Sequence, residues 1–566
     1  LLAVASPSLA QSPQAPTVAA GSIAVTQQGA TTVITQSTDK GIIDWRSFSI
    51  GPQQAVRFDQ PGRASVTLNR VTSSEISRID GNLSANGQVW LSNPNGVMIG
   101  PGGQVNVGGL LATTGRIDAA EFLRSGRAAV DQIGRDAAIV NSGAITVAES
   151  GYAALAAAAI RNDGVIAARK GAIALGSGKA VTVDFAGDRL ITYQVTQPLD
   201  AAPAAADAAL SGAGTLAAEG GTVLLSARAA KGVMDNVINL KGLVVSNSVR
   251  VDGGTVVFGD GGTVQVSARI DASSATGQGG AVAVLGEKVG LMDGASIDAS
   301  GATGGGTVLV GGDWQGKGAA HNAQVAYVAP SAKINVDATK AGDGGVAVVW
   351  SDDTTRFHGT ISARGGVTRG NGGKVETSGL RTLQVGSKAA VSAGARSGAG
   401  RPGAWLLDPN DIQIGGGVDS NVTSASPFEA TSDVSGSVVS VATLLAGLAN
   451  GGNVTVKTTS GFGSGAGDIT VASAISFTDP TPATLTLQAD RDIRINAPIS
   501  ASGGGKLGLA LDAGRSVVVS ANVTTGDGDF TVTANLGGAA VGAVRGYEQI
   551  GATVNAGSGT ISITAL

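Results

Sequence analysis

Two phrases near residue 150 constrain the fold more than anything else in the chain. Val140-Asn141-Ser142-Gly143-Ala144-Ile145 and Arg161-Asn162-Asp163-Gly164-Val165-Ile166 share an Asn-x-Gly-x-Ile pattern, with the asparagines 21 residues apart. A period near 20 is too short for a helical-repeat unit and suits one coil of a parallel β-helix. In that geometry each Asn-x-Gly stands at a corner, where Gly, and to a lesser degree Asn, tolerates a left-handed backbone. A second series follows. Ala268-Arg269-Ile270-Asp271-Ala272-Ser273 leads into Gly279-Gly280-Ala281-Val282-Ala283-Val284, and Ala295-Ser296-Ile297-Asp298-Ala299-Ser300 leads into Gly305-Gly306-Thr307-Val308-Leu309-Val310. Ile270 and Ile297 lie 27 apart, and weaker copies start at Ile334 and Ile361. Unequal gaps between each Ile and its Gly pair are what loops of different length at one corner would produce.

Composition agrees with many strands and many turns. Gly supplies 88 of 566 residues, aromatic residues are 3% and charged ones 14%, against roughly 25% charged in ordinary domains. Disorder is excluded by the 43% of hydrophobic residues, many of them Val and Ile in short alternating runs. Tyr152-Ala153-Ala154-Leu155-Ala156-Ala157-Ala158-Ala159-Ile160 has helical propensity, but it falls inside one repeat and is read as strand. Residues 201–210 interrupt the pattern as a short excursion helix or a loop. Ser440 is placed to cap one short helix over residues 441–449, ended by Asn450-Gly451.

A net charge of −4, with basic clusters no longer than pairs such as Arg169-Lys170, argues against a nucleic-acid track. After the first few residues no stretch reaches the eighteen or so apolar residues of a membrane helix, so the chain is not expected to span a membrane. Cysteine is absent, which removes disulfides that could close in an oxidising compartment. Residues 1–10 read as the end of a secretory leader, with Ser8-Leu9-Ala10 as a cleavage site before Gln11.

The most ordered local signal is the stretch 88–99, QVWLSNPNGVMI. Asn93-Pro94-Asn95-Gly96 fits a type I turn at every position, and the apolar runs Val89-Trp90-Leu91 and Val97-Met98-Ile99 make the unit strand, tight reversal, strand. Upstream stand Gly41-Ile42-Ile43-Asp44-Trp45-Arg46-Ser47-Phe48, Val56-Arg57-Phe58, Leu68-Asn69-Arg70-Val71 and Ile79-Asp80-Gly81-Asn82-Leu83; downstream stand Val105-Asn106-Val107-Gly108-Gly109-Leu110 and Ala112-Thr113-Thr114. This ordered series resembles the secretion domain of two-partner-secretion exoproteins, the filamentous-haemagglutinin and high-molecular-weight-adhesin family, best over residues 20–195. An NPNL sequence, a second motif of some branches, is absent here, so mechanisms resting on it are not carried over.

The resemblance implies an all-β, right-handed parallel β-helix with short antiparallel extra-helical elements near the N-terminus. It implies a protein secreted to the surface of a Gram-negative bacterium by an outer-membrane transporter with periplasmic recognition domains. The expected organisation is a leader remnant (1–10), a secretion domain (11–250), a Gly-rich β-helix (251–414), a polar linker with a short helix (415–452) and further coils (453–566). Asn69, Asn93, Pro94, Asn95 and Gly96 are the residues expected in secretion or partner recognition, by direct contact or by shaping the rod's cap; turn chemistry alone accounts for the last four. The expected task is adhesion to a host or neighbouring cell-surface receptor or glycan. A haemolysin or a stalk for a contact-dependent-inhibition toxin shares these features.

An enzyme is the remaining rival, since parallel β-helices include polysaccharide-active enzymes. Asp352-Asp353, Asp408 and Asp411 are its best carboxylates and His358 its one nearby base, but an extended strand would turn Asp353 away from His358 and leave Asp352 roughly 20 Å off. His321 and His358 lack any ordered ligand spacing, so no metal site is expected. Asp252-Gly253-Gly254, Asp260-Gly261-Gly262 and Asp343-Gly344-Gly345 resemble calcium-binding glycine repeats, yet the tandem nonapeptide is missing. No cofactor is expected.

Overall fold

The structure, a computed structural model, describes the chain except for residues 1–11, 135, 185–191, 205–207, 220, 228–235, 241–242, 246–254, 260–261, 387–388, 409–411, 416–436, 459–466, 536–545 and 566. The expected leader remnant therefore lies outside the described residues, as do Asp411, Asp252-Gly253-Gly254 and Asp260-Gly261. The chain divides into two compact units, one formed by Leu1–Ser246 with Val256–Gly262 and the other by Asn247–Thr255 with Thr263–Leu566.

The first unit is built from three parallel ladders. One carries Lys40–Trp45, Val66–Val71, Gln88–Ser92, Gly109–Thr113, Tyr152–Ala156, Ala172–Ser177 and Thr222–Ala227. The second runs from Ser77–Ile79 through Val97–Ile99, Ala138–Asn141 and Ala159–Asn162 to Leu210–Gly212 and Asn236–Leu240. The third runs from Thr31–Gln36 through Ala55–Asp59, Asn82–Ala85 and Gln104–Val107 to Ala144–Val147, Val165–Ala167, Thr215–Ala217 and Leu243–Val245. Strand follows strand in chain order, each displaced by one coil, so the fold is a parallel β-helix. Parallel strands covered on both faces read as nearly continuous apolar runs, and Tyr152–Ala156 is buried at all five positions. That resolves the Ala-rich segment as strand: its methyl groups fit the narrow interior between stacked coils. Asn141 and Asn162 are register partners, and the Asn141 amide donates to the Asn162 side-chain oxygen at 2.7 Å.

Three antiparallel elements depart from the spiral. Thr17–Ala20 pairs antiparallel with Lys40–Trp45, and Ile23–Gln28 with Thr31–Gln36. Arg116–Ile117, Ala128–Asp131, Ala180–Asp184 and Thr192–Gln197 form a separate four-stranded sheet. A helix, Ala119–Ser125, is capped by the Asp118 side chain and closed by Gly126 at φ +74°.

The second unit repeats the three-ladder plan. Ile270 stacks on Ile297, Ile297 on Ile334 and Ile334 on Ile361, so the copies noted in the sequence are successive coils at one ladder position. A helix at Val441–Leu448 is capped by Ser440, whose hydroxyl accepts the Thr443 N–H. Its Leu444 and Leu448 are fully buried. Among the described residues no helix is long and apolar enough to cross a membrane.

Candidate functional site

The turn Asn93-Pro94-Asn95-Gly96 closes on the bond its sequence calls for, with the Gly96 N–H donating to the Asn93 carbonyl at 3.1 Å. It is a corner, and the tight reversal read from the sequence needs that correction. Gln88–Ser92 pairs with Val66–Val71 and Gly109–Thr113, while Val97–Ile99 pairs with Ser77–Ile79 and Ala138–Asn141. The flanking strands thus belong to different ladders and continue the spiral, whereas a hairpin would have paired them with each other.

Asn93 is the internal bracket of this corner and is fully buried. Its amide donates to the Glu75 carbonyl and the Ser77 hydroxyl, both at 2.9 Å, and its side-chain oxygen accepts from the Asn95 N–H at 3.0 Å. Asn95 in turn donates to the Ser73 carbonyl at 2.7 Å. Gly96 has φ +122°, and a Cβ there would lie 3.0 Å from the Ala138 carbonyl of the next coil, so the backbone strains any other residue and the space for one is tight. Pro94 alone of the four is exposed.

Asn69 sits elsewhere, in the interior and fully buried. Its side-chain oxygen accepts from the Trp45 indole at 2.9 Å, and its amide donates to the Thr67 and Trp90 carbonyls at 3.1 and 3.2 Å. It therefore ties three successive coils together. Trp90, on the opposite face of its strand, lies under Phe122 of the helix with ring centroids 5.0 Å apart, and its indole donates to the Tyr152 hydroxyl at 2.7 Å. Burial pushes the Tyr152 phenol above its usual range, so it remains a donor, here to Gln88.

Beside the turn opens a cleft of about 810 Å³, lined by Pro94 and Asn95 together with Asp44, Arg70, Arg116 and Asp131 among others. Its walls are the corner on one side and the extra-helical sheet on the other. Arg70 and Asp44 are register partners and form an ion pair at 2.7 Å. The structure thus brings Pro94 and Asn95 to the cleft, places Asn93 and Gly96 behind them, and keeps Asn69 apart. The charged lining was not singled out from the sequence. Asp44 and Arg70 would have been found by aligning one coil on the next, since they fall at the same ladder position; Arg116 and Asp131 belong to an excursion that leaves no periodic signal.

Of the carboxylates considered for catalysis, the three described ones each have a partner of their own. Asp352 accepts from Asn322 and the Trp350 indole, both at 3.0 Å, Asp353 lies 3.9 Å from Arg381, and Asp408 is buried against Lys457 at 3.1 Å. The His358 ring packs by Tyr327 with centroids 6.0 Å apart. Asp343 accepts the Asn371 N–H at 2.7 Å, as a loop bracket does. Among the described residues no three His, Cys, Asp or Glu side chains gather as a metal site would require.

Residues 8–270 match the family described as the TPS secretion domain. The structure is similar to the crystal structure of the HMW1 secretion domain from Haemophilus influenzae, with a TM-score of 0.58, 30% identity, 70% of this chain covered and all of that one. This chain belongs to the two-partner-secretion exoproteins. As a member of that family it is secreted by a Gram-negative bacterium. Two curated relatives are the heme/hemopexin-binding proteins of Haemophilus influenzae, 53% identical over 81 residues and, in strain Rd, 48% identical over 102 residues. Those matches cover 14% and 18% of this chain but only 9% and 11% of the relatives' own length.

Proposed function

We propose that the N-terminal coils of this exoprotein act as its secretion signal and as the template on which the rest folds, and that the later coils form an adhesive passenger at the cell surface. The observation that carries the template reading is the pairing order: each coil of the first unit sits on its predecessor through three parallel ladders. A coil buries its apolar side only when a neighbour is already there. Completed coils cannot slip back, so folding outside the cell would bias movement outward without ATP. In this reading Pro94 and Asn95, which reach the cleft, meet the transporter, while Asn69, Asn93 and Gly96 hold the shape that presents them.

The test is Val89→Pro, which removes a ladder N–H in a fully buried central strand. Secretion should be lost with expression intact; normal secretion would overturn the template reading. For the passenger, attachment of cells with and without the gene is compared, and equal attachment would refute adhesion. The names of the curated relatives favour a second reading, capture of haem or of a haem-carrying host protein. Binding of the purified secreted chain to haem-loaded haemopexin, with no effect of the gene on attachment, would establish it in place of adhesion. Loss of activity against a neighbouring strain, with attachment unchanged, would favour a toxin stalk.

A further inference from the structure

At one level of the second unit the ladders abandon chain order. Thr382–Val385 would ordinarily carry the next strand of its ladder, Ile412–Ile414. Instead Gln384 and Val385 pair with Val438 and Val439 of the strand Ser437–Val439. The other edge of that strand holds Ile412–Ile414, which then carries Ile469–Val471. A strand from later in the chain is thus slotted beneath an earlier one. The neighbouring ladder Lys374–Gly379, Ala404–Leu407, Asn453–Lys457 keeps its order.

The third side of the same coil is also supplied from downstream. The helix Val441–Leu448 packs against Ala390–Ser392 and Ile475–Phe477, the strands that precede and follow this level in the third ladder. Its Leu444 and Leu448 are fully buried, so on this side the helix supplies the apolar wall that a strand gives elsewhere. Its inner face is fitted to the coil it closes: a Cβ at Gly447 would lie 2.5 Å from the Trp405 indole. The Thr443 hydroxyl donates to the Gly386 carbonyl at 2.6 Å, fixing the helix to the coil below.

We propose that residues 437–448 are a delayed seat that divides outward folding into two stages. Ile412–Ile414 lacks the edge it pairs with in the structure, and its coil a third wall, until the chain has emerged through Leu448. Growth of this ladder halts at Val385 and resumes in one step, when strand and helix arrive together. In the later coils Ile469 meets its register partner Ile493 after 24 residues, whereas here Gln384 has its register partner only at Val438, more than twice as far along the chain. The proposal bears on export only if coils are laid down from the N-terminus, as argued above, but the dependency of one strand on the other belongs to the fold itself.

The test is refolding of the purified full chain from denaturant, without transporter, with pulsed hydrogen exchange read by mass spectrometry. Peptides covering Ile412–Ile414 should gain protection together with Val441–Leu448 and after Thr382–Val385. Protection of Ile412–Ile414 ahead of the helix would overturn the proposal. In Gly447→Leu, which drives a side chain into the Trp405 ring, protection at Ile412–Ile414 should fall at least tenfold with Thr382–Val385 unchanged; undiminished protection would again overturn it. Should that variant not refold, the order of events in the unsubstituted chain decides alone. Because the transporter is absent, failure here leaves the export reading standing, and normal secretion of Val89→Pro would leave this one standing.

Discussion

Glu376 makes one stretch of the second unit sensitive to pH between the acidic and neutral range. It lies in the strand Lys374–Gly379 and is fully buried. One carboxyl oxygen accepts the Gln315 N–H at 2.8 Å, and the other has no partner. The segment 311–322 folds over it, held by Asn322 donating to the Gly316 carbonyl and to Asp352, both at 3.0 Å. Burial raises the Glu376 carboxyl from 4.5 to about 7; the Gln315 N–H and the neighbouring Ser378 hydroxyl oppose the rise, Asp408 adds to it and Lys457 subtracts.

A carboxyl whose pKa is higher folded than unfolded favours the folded state when protonated. The stabilisation is complete below about 4.5 and is lost as pH rises through about 7. At about 1.4 kcal/mol per unit the loss is about 3 kcal/mol, a change on the order of a hundredfold in a local opening equilibrium. Native-state hydrogen exchange, corrected for intrinsic rates, measures it directly. Protection at Gln315 and across Lys374–Gly379 should fall roughly a hundredfold between pH 5 and pH 8, while strands remote from Glu376, such as Leu507–Ala513, stay constant. In Glu376→Gln the side chain cannot ionise and this dependence should vanish. Equal protection at the two pH values, or the same slope in Glu376→Gln, would refute the argument.

Three further outcomes follow from the geometry. Asn69→Ala leaves the buried Trp45 indole N–H without its acceptor, costing about 1–3 kcal/mol, and should lower the thermal midpoint of the first unit; an unchanged midpoint would show that the clamp is dispensable. Gly96→Val forces a β-branched residue to φ +122° against the Ala138 carbonyl and should destabilise the corner by about 1–3 kcal/mol, whereas Pro94→Ala should leave stability nearly unchanged and, in the proposed reading, weaken binding to the transporter's periplasmic domains in a pull-down. Burial alone would raise the Asp468 carboxyl, but hydrogen bonds from Arg491 and Arg494 outweigh it and hold the group at about 2; stability that this group contributes above about 3.8 should be lost as pH falls through about 2, and Asp468→Asn should flatten that limb of an acid-unfolding curve.

The coil plan was legible because a parallel β-helix writes its geometry into the sequence as a period. Asn141 with Asn162, and Ile270 with Ile297, Ile334 and Ile361, are spacings in the chain and register partners in space. The 93–96 turn was legible for a local reason, that each residue type suits its position. What its residues touch was not. Asn93 bridges to Glu75 and Ser77 across a coil boundary, and whether an asparagine brackets a corner inward or faces a partner outward leaves no trace in its own neighbours along the chain. The delayed strand was hidden for a related reason: three residues, Ser437-Val438-Val439, carry no spacing that distinguishes the coil below from the coil above.

The lower edges of the first unit add direction to the proposed template. Lys40–Trp45 opens the first parallel ladder and Thr31–Gln36 the third, and each has an antiparallel strand, Thr17–Ala20 or Ile23–Gln28, on the side away from the next coil. An uncovered edge would accept a strand from either direction, including one from another chain. With those edges taken, the free edge of each of these two parallel ladders is the one that meets later residues, so coils add toward the C-terminus. Replacing Ile34 with Asp puts a charge into a fully buried position of the opening coil, where it cannot be solvated without opening that coil. If the opening coils are the template, this one substitution should abolish protease resistance through the later ladders as well as its own. Resistance lost only in the first coils would show that the later ones fold without it, and the template reading would be wrong.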